Sequence, residues 1–124
     1  RSACEELFRW ISHVATSTRQ TTSDTELAGT TIPSGALVAA VLSSANRDER
    51  RWTDPDRFDI HRKEGPHLAF AAGAHVCLGA WLGRSTVRVA VQHLLDRLPG
   101  LDLAGKVDIR GFEFRGPLRL DVGW

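Results

Sequence analysis

The residues with most chemistry to offer lie in one stretch, Phe70-Ala71-Ala72-Gly73-Ala74-His75-Val76-Cys77-Leu78-Gly79. Cys77 stands where a glycine-bearing loop meets a long segment that reads as a helix. The first N–H groups of a helix have no partners within it, and the positive end of the helix dipole lies behind them. A sulfur placed there is favoured as thiolate. Gly79 keeps the first turn slim, so a large flat ligand can approach the sulfur closely, and Phe70 is placed to shield its far side. A hydrogen-bonded thiolate with apolar walls and one open face suits an axial metal ligand, a haem iron above all.

Other readings stay open for a lone cysteine. It is most often a small buried hydrophobe. A nucleophilic role needs a base, for which His75, two residues away, is the neighbouring candidate. A zinc site needs further ligands, and Cys4, His13 and His61 are scattered without metal-ligand spacing. Cys4 and Cys77 are the only cysteines, too few for a disulfide framework, so a reducing, cytoplasmic setting is expected.

The elements that must position the loop can be read on either side of it. Leu7, Phe8, Trp10 and Ile11 among charges suit a helix over 3–12. Residues 14–22, rich in Thr and β-branched types, read as a strand. Leu27-Ala28-Gly29-Thr30-Thr31-Ile32 reads as a hairpin turning at Gly29, and Pro33-Ser34-Gly35 as a second turn. The small-apolar run 36–44 reads as a buried strand passing into a short helix. Residues 46–66 carry turn chemistry without periodicity, a long irregular segment of the kind that must be tied down. An apolar loop follows over 67–76. Helical spacing then extends from Leu78 to Leu98, stopped by Pro99-Gly100. Two strand-like pieces, 107–114 and 118–122, flank Gly116-Pro117.

Length and charge narrow the class. The 124 residues make one domain at most, 42% hydrophobic and 25% charged. Sixteen Lys+Arg against fifteen Asp+Glu give a net charge of +1, which argues against a strongly basic nucleic-acid binder. No apolar run is long enough to span a membrane. The chain holds no Met and opens at Arg1, in what reads as mid-helix, so a piece of a longer protein is expected.

The loop resembles the haem-binding segment of the cytochrome P-450 superfamily, the haem-thiolate monooxygenases. That pattern is Phe, a small residue, any, Gly, any, His or Arg, any, Cys, any, Gly, and it is met by Phe70, Gly73, His75, Cys77 and Gly79. Ala71 departs from it, standing where Gly or Ser is usual; Ala disfavours positive φ, so a slightly re-bent loop is expected. Leu82-Gly83-Arg84 stands where Leu-Ala-Arg is common. Glu6-Leu7-Phe8-Arg9 resembles the Glu-x-x-Arg pair of the family's K helix, whose i, i+3 spacing puts both side chains on one face. Asp54-Pro55-Asp56-Arg57-Phe58 resembles its later Pro-x-Arg-Phe element.

The resemblance implies a mainly α fold with minor β: the C-terminal portion, residues 1–124, of one larger domain, with a long L helix, short strands and an irregular meander. It implies haem b on Cys77, with Phe70, Gly73, Leu78 and Gly79 lining the ligand and Arg19 and His75 on a propionate. It implies a structural triad of Glu6, Arg9 and Arg57 beneath the loop, and a substrate side at Val14, Ala15 and Thr16 and near 110–112. Such an enzyme inserts one oxygen atom of O2 into a small organic substrate, with electrons from NAD(P)H through a ferredoxin or reductase. Arg62, Lys63 and Arg84 are the basic residues that could dock that donor. No catalytic residue is expected within this segment, because the oxygen-activating helix would precede Arg1. The alternatives are a peroxide-driven haem-thiolate enzyme and a non-catalytic relic with little haem binding. Trp10, Trp52, Trp81 and Trp124 are expected in packing, His61, His67 and His93 at the surface or in loops, and Cys4 inert.

Overall fold

A computed structural model describes residues 2–124. Helix α1 runs Ser2–Ile11, with acidic Glu5 in its first turn and basic Arg9 in its last, the charge order that suits the helix dipole. It stops at Ser12, which takes a positive φ of 44°, returns its N–H to the Phe8 carbonyl at 3.0 Å and donates its hydroxyl to the Arg9 carbonyl at 2.7 Å.

Strand β1 (Thr16–Gln20) follows, shorter than the sequence suggests, and pairs antiparallel with β4 (Leu37–Val41) in the register Thr16↔Val41 to Gln20↔Leu37. Between them β2 (Thr25–Leu27) and β3 (Thr30–Ile32) form the expected hairpin. Its two-residue turn puts Ala28 and Gly29 at φ 49° and 77°, the double positive φ that a tight hairpin needs. The chain passes directly from β4 into a single helical turn, α2 (Leu42–Ala45). The expectation of a buried strand over 36–44 does not hold. Leu37 is 76% exposed, because β1 and β4 form a two-stranded ribbon rather than an inner strand of a covered sheet.

Residues 46–66 contain no regular element, and the loop beyond them closes with a 3-10 turn at Gly73–His75. Helix α3 spans Ala80–Arg97, so Cys77, Leu78 and Gly79 lie in the turn before it rather than within it. The Ala80 N–H donates to the Cys77 carbonyl at 3.1 Å.

Two short antiparallel ladders complete the chain. Strand β5 (Asp102–Leu103) pairs with β8 (Val122–Gly123), and β6 (Ile109–Arg110) with β7 (Gly116–Pro117). Gly116-Pro117, expected between two strand-like pieces, is thus itself a strand. A proline is admissible there because a two-stranded ladder is all edge. The bend is at Gly111, where φ is +107° and an added Cβ would lie 1.8 Å from the Phe114 carbonyl oxygen, so only glycine fits.

The interior is small and half polar. Phe8, Ala15, Trp52, Ala69 and Ala80 are buried, and so are Glu6, Arg9, Ser12, Thr16 and Asn46. Of the tryptophans expected in packing, Trp52 is buried and Trp10 lies between Arg47 and Phe58, but Trp81 and Trp124 are exposed. Among the described residues no helix is long and apolar enough to cross a membrane.

Candidate haem-thiolate site

Cys77 is exposed, and both cysteines are free. Its backbone N–H donates to the Phe70 carbonyl at 2.9 Å, closing residues 70–77 into a loop. Within that loop Ala71 takes φ 57° and Gly73 φ 70°. The residue that departs from the family pattern therefore sits in a left-handed conformation, where a side chain costs about 1–2 kcal/mol. A Cβ added at Gly79 would meet only the Cys77 sulfur, at 3.8 Å, so the space beside the sulfur is otherwise open. An apolar cavity of about 580 Å3 opens between α1 and α3, walled by Leu7, Phe8, Ile11, Phe70, Gly79 and Leu82. A soft donor, an unencumbered flank and apolar walls are what an iron porphyrin requires, so the residues present fit that group.

Phe70 does more than face the ligand side. Its ring packs on Phe8 at 4.7 Å between centroids and lies 4.5 Å beneath the Arg84 guanidinium. A Cβ at Gly83 would meet the same ring at 3.4 Å, so the small residue there keeps α3 close to Phe70.

Arg19 and His75, implied as propionate contacts, are both exposed, and neither is ion-paired among the described residues. Arg19 donates from Nη1 to the Ser17 hydroxyl and the Thr18 carbonyl, each at 2.8 Å. Leu78 is fully exposed. Of the implied substrate residues, Ala15 and Thr16 are buried and tied to residues 112–113: the Ala15 N–H bonds to the Glu113 carbonyl at 2.7 Å and the Thr16 hydroxyl to the Phe112 carbonyl at 3.4 Å. Val14 is the partly exposed member and bridges Phe114. The fold does bring 14–16 and 112–114 together. His13 is exposed, lines the cavity, and accepts the Arg115 N–H at its carbonyl.

Beneath the loop lies a buried ionic hub. Arg9, 1% exposed, donates from Nε and Nη2 to both oxygens of Glu6 at 2.7 and 2.8 Å. Its remaining N–H groups reach the carbonyls of Asn46, Pro55 and Arg57. The expected triad needs correction: the third member is Arg62, whose Nε lies 3.1 Å from Glu6 Oε1, whereas Arg57 offers only its backbone carbonyl and turns its side chain outward. Between the two arginines the Asp59 N–H bonds to Glu6 Oε1 at 2.9 Å and the Arg62 N–H to the Asp59 carbonyl at 3.0 Å, which brings Arg62 to the Glu6 carboxylate. Burial opposes the charge of Glu6, but Arg9, the Asp59 N–H and Arg62 outweigh it and bring its pKa down to about 2. The same geometry removes Arg62 from any docking face. Arg84 is engaged by Glu5 as well, leaving Lys63 as the exposed member of that set.

Two polar residues make interior contacts that the sequence alone does not anticipate. Asn46 is fully buried and joins three segments: its amide donates to the Ser12 hydroxyl at 2.8 Å, its side-chain oxygen accepts the Leu68 N–H at 2.7 Å, and its carbonyl accepts Arg9. His67, expected at the surface or in a loop, is a loop residue whose side chain is 6% exposed, with Nε2 3.2 Å from Glu5. The Ala69 N–H donates to His67 Nδ1 at 3.2 Å, so the ring proton resides on Nε2 and points to the carboxylate.

Comparison with known proteins places the chain in a family. The cytochrome P450 family model matches residues 1–100. The chain belongs to the cytochrome P450 family. It is 43% identical to nocardicin C N-oxygenase of Nocardia uniformis subsp. tsuyamanensis over 129 aligned residues, covering 99% of this chain and 32% of that protein. Mycinamicin IV hydroxylase/epoxidase of Micromonospora griseorubida is likewise 43% identical, with the same coverage. Among solved structures, CYP109Q5 from Chondromyces apiculatus superposes with a TM-score of 0.93 at 39% identity, over 98% of this chain and 32% of that one. P450BioI, solved with an acyl carrier protein bearing hexadec-9Z-enoic acid, gives 0.90 at 40% identity, over 98% and 32%. The chain thus spans about a third of the length of the relatives it matches.

Proposed function

We propose that this chain is the C-terminal portion of a cytoplasmic haem-thiolate monooxygenase, lying within one larger domain, with Cys77 Sγ as the axial ligand of haem b. The observation that carries this reading is the exposed Cys77 sulfur beside side-chain-free Gly79, in a loop pinned by the Cys77 N–H on the Phe70 carbonyl. Phe70, Gly73, Leu78 and Gly79 line the ligand, and Arg19 and His75 supply charge-assisted donors for its propionates. The haem, when bound, supplies the activation of O2, with electrons from NAD(P)H delivered by a ferredoxin or reductase and one oxygen atom passed to an organic substrate. Cys77 would hold that group as a thiolate, an electron-rich donor. Val14, with the segment near Phe112, walls the substrate side. Glu6, Arg9 and Arg62 act structurally, holding residues 46–66 beneath the loop.

Haem titration tests this. Cys77→Ser abolishes the long-wavelength Soret band of the ferrous–CO complex, and Cys4→Ser leaves it unchanged. If both variants keep the wild-type spectrum, Cys77 is not the ligand and the proposal fails.

A further inference from the structure

Three side chains from three parts of the chain meet around Phe70. Glu5 of α1 receives Arg84 of α3 through Nε at 2.8 Å and Nη2 at 3.0 Å, a two-pronged contact, and stands 3.2 Å from His67 of the loop. The Arg84 guanidinium lies over the Phe70 ring at 4.5 Å. Phe8 and His67 contact the same ring from other sides, at 4.7 and 6.0 Å between centroids. His67 Nδ1 accepts the Ala69 N–H, which fixes the backbone one residue before Phe70. The Phe70 carbonyl in turn holds the Cys77 N–H. An unbroken set of contacts therefore joins Glu5 to the amide of the sulfur-bearing residue.

Building on the reading of Cys77 as the iron ligand, we propose that Glu5, His67 and Arg84 are positioning residues for the thiolate: they clamp Phe70 and the backbone before it, and so set the direction from which the Cys77 sulfur addresses the iron. Arg84 suits the task because a planar guanidinium can both fork onto a carboxylate and stack on an aromatic face. A lysine retains the charge but does neither. Glu5 aligns Arg84 and orients the Nε2–H tautomer of His67. The electron donor therefore finds Arg84 already committed.

The test uses the haem-loaded full-length protein that carries this chain, with two readouts: amide hydrogen exchange at Cys77, which is independent of turnover, and the fraction of the ferrous–CO complex that shows the thiolate-ligated Soret band. Arg84→Lys and Glu5→Gln are both conservative, and each should speed exchange at Cys77 about tenfold or more, as expected when a charge-assisted contact is lost. Both should also move part of the Soret intensity to the shorter-wavelength form. Amides in β1 and β4 should keep their wild-type rates, and Arg119→Ala, which removes an exposed pair with Asp121, should change nothing. Unchanged Cys77 exchange in both variants, or equal acceleration throughout the protein, overturns the proposal. A wild-type protein without the thiolate band refutes the ligand assignment instead, so the two failures can be told apart.

Discussion

Helix α1 and helix α3 face each other across Phe70, yet they reverse the usual distribution of polarity. On α1 two charges go inside beside Phe8: Glu6 and Arg9 are 3% and 1% exposed, and every buried polar group they bring finds a partner. On α3 it is the apolar residues that face outward, with Trp81, Leu82 and Leu95 at 74%, 72% and 64% exposure and only Ala80 buried. The contrast separates two jobs. The segment around α1 is held by polar contacts made within this chain. The surface of α3 is apolar on several sides, as in helices enclosed by other elements. In a protein about three times as long, which the proposed reading implies, the rest of the domain provides that enclosure.

The contrast can be broken first at Arg9. Arg9→Met leaves the Glu6 carboxylate half paired and the carbonyls of Asn46 and Pro55 without their donor, and is expected to cost about 3–5 kcal/mol, the loss typical of halving a buried ion pair. Urea unfolding of this chain measures it. A loss below about 1 kcal/mol would mean that the hub does not hold the fold. A smaller effect of opposite sign is expected at Ala71→Gly. Relief of the left-handed strain, offset in part by the freer unfolded chain, leaves a gain of about 0.5–1 kcal/mol, visible as a higher melting temperature. Leu95→Ser on the exposed flank of α3 should shift the stability of this chain by no more than about 0.5 kcal/mol.

Acid sharpens the same comparison. Burial pushes the pKa of His67 down, against the upward pull of Glu5, so the folded protein prefers the neutral ring. The unfolded chain then binds the extra proton, and stability present above the ordinary histidine value of 6.5 is lost as pH falls through it. Glu6, whose pKa falls from 4.5 to about 2, adds a second loss between those values. Stability should therefore decline in two stages on acidification, and His67→Gln should remove the upper one. A single decline confined to the carboxylate range would show that His67 carries no such linkage.

The sequence made the sulfur loop and the Glu6–Arg9 pair legible because each is local: a fixed spacing in one case, one helical face in the other. The hairpin at Ala28-Gly29 was legible for the same reason. Arg62 was not, because residues 46–66 have no periodicity from which to tell which of several arginines folds back. Asn46 and His67 were missed since their partners lie 34 and 62 positions away, at Ser12 and Glu5. The exposure of β4 was missed because an apolar run does not reveal whether a second layer covers it.

Arg9 hydrogen-bonds the irregular segment only through main-chain oxygens, those of Asn46, Pro55 and Arg57, while its guanidinium lies 5.3 Å from the centre of the Trp52 ring. Such an attachment is indifferent to the identity of the side chains at 55 and 57. Evolution is thereby left free to rewrite the outward lettering of this stretch, and with it whatever the stretch presents to other molecules, without loosening the bolt underneath.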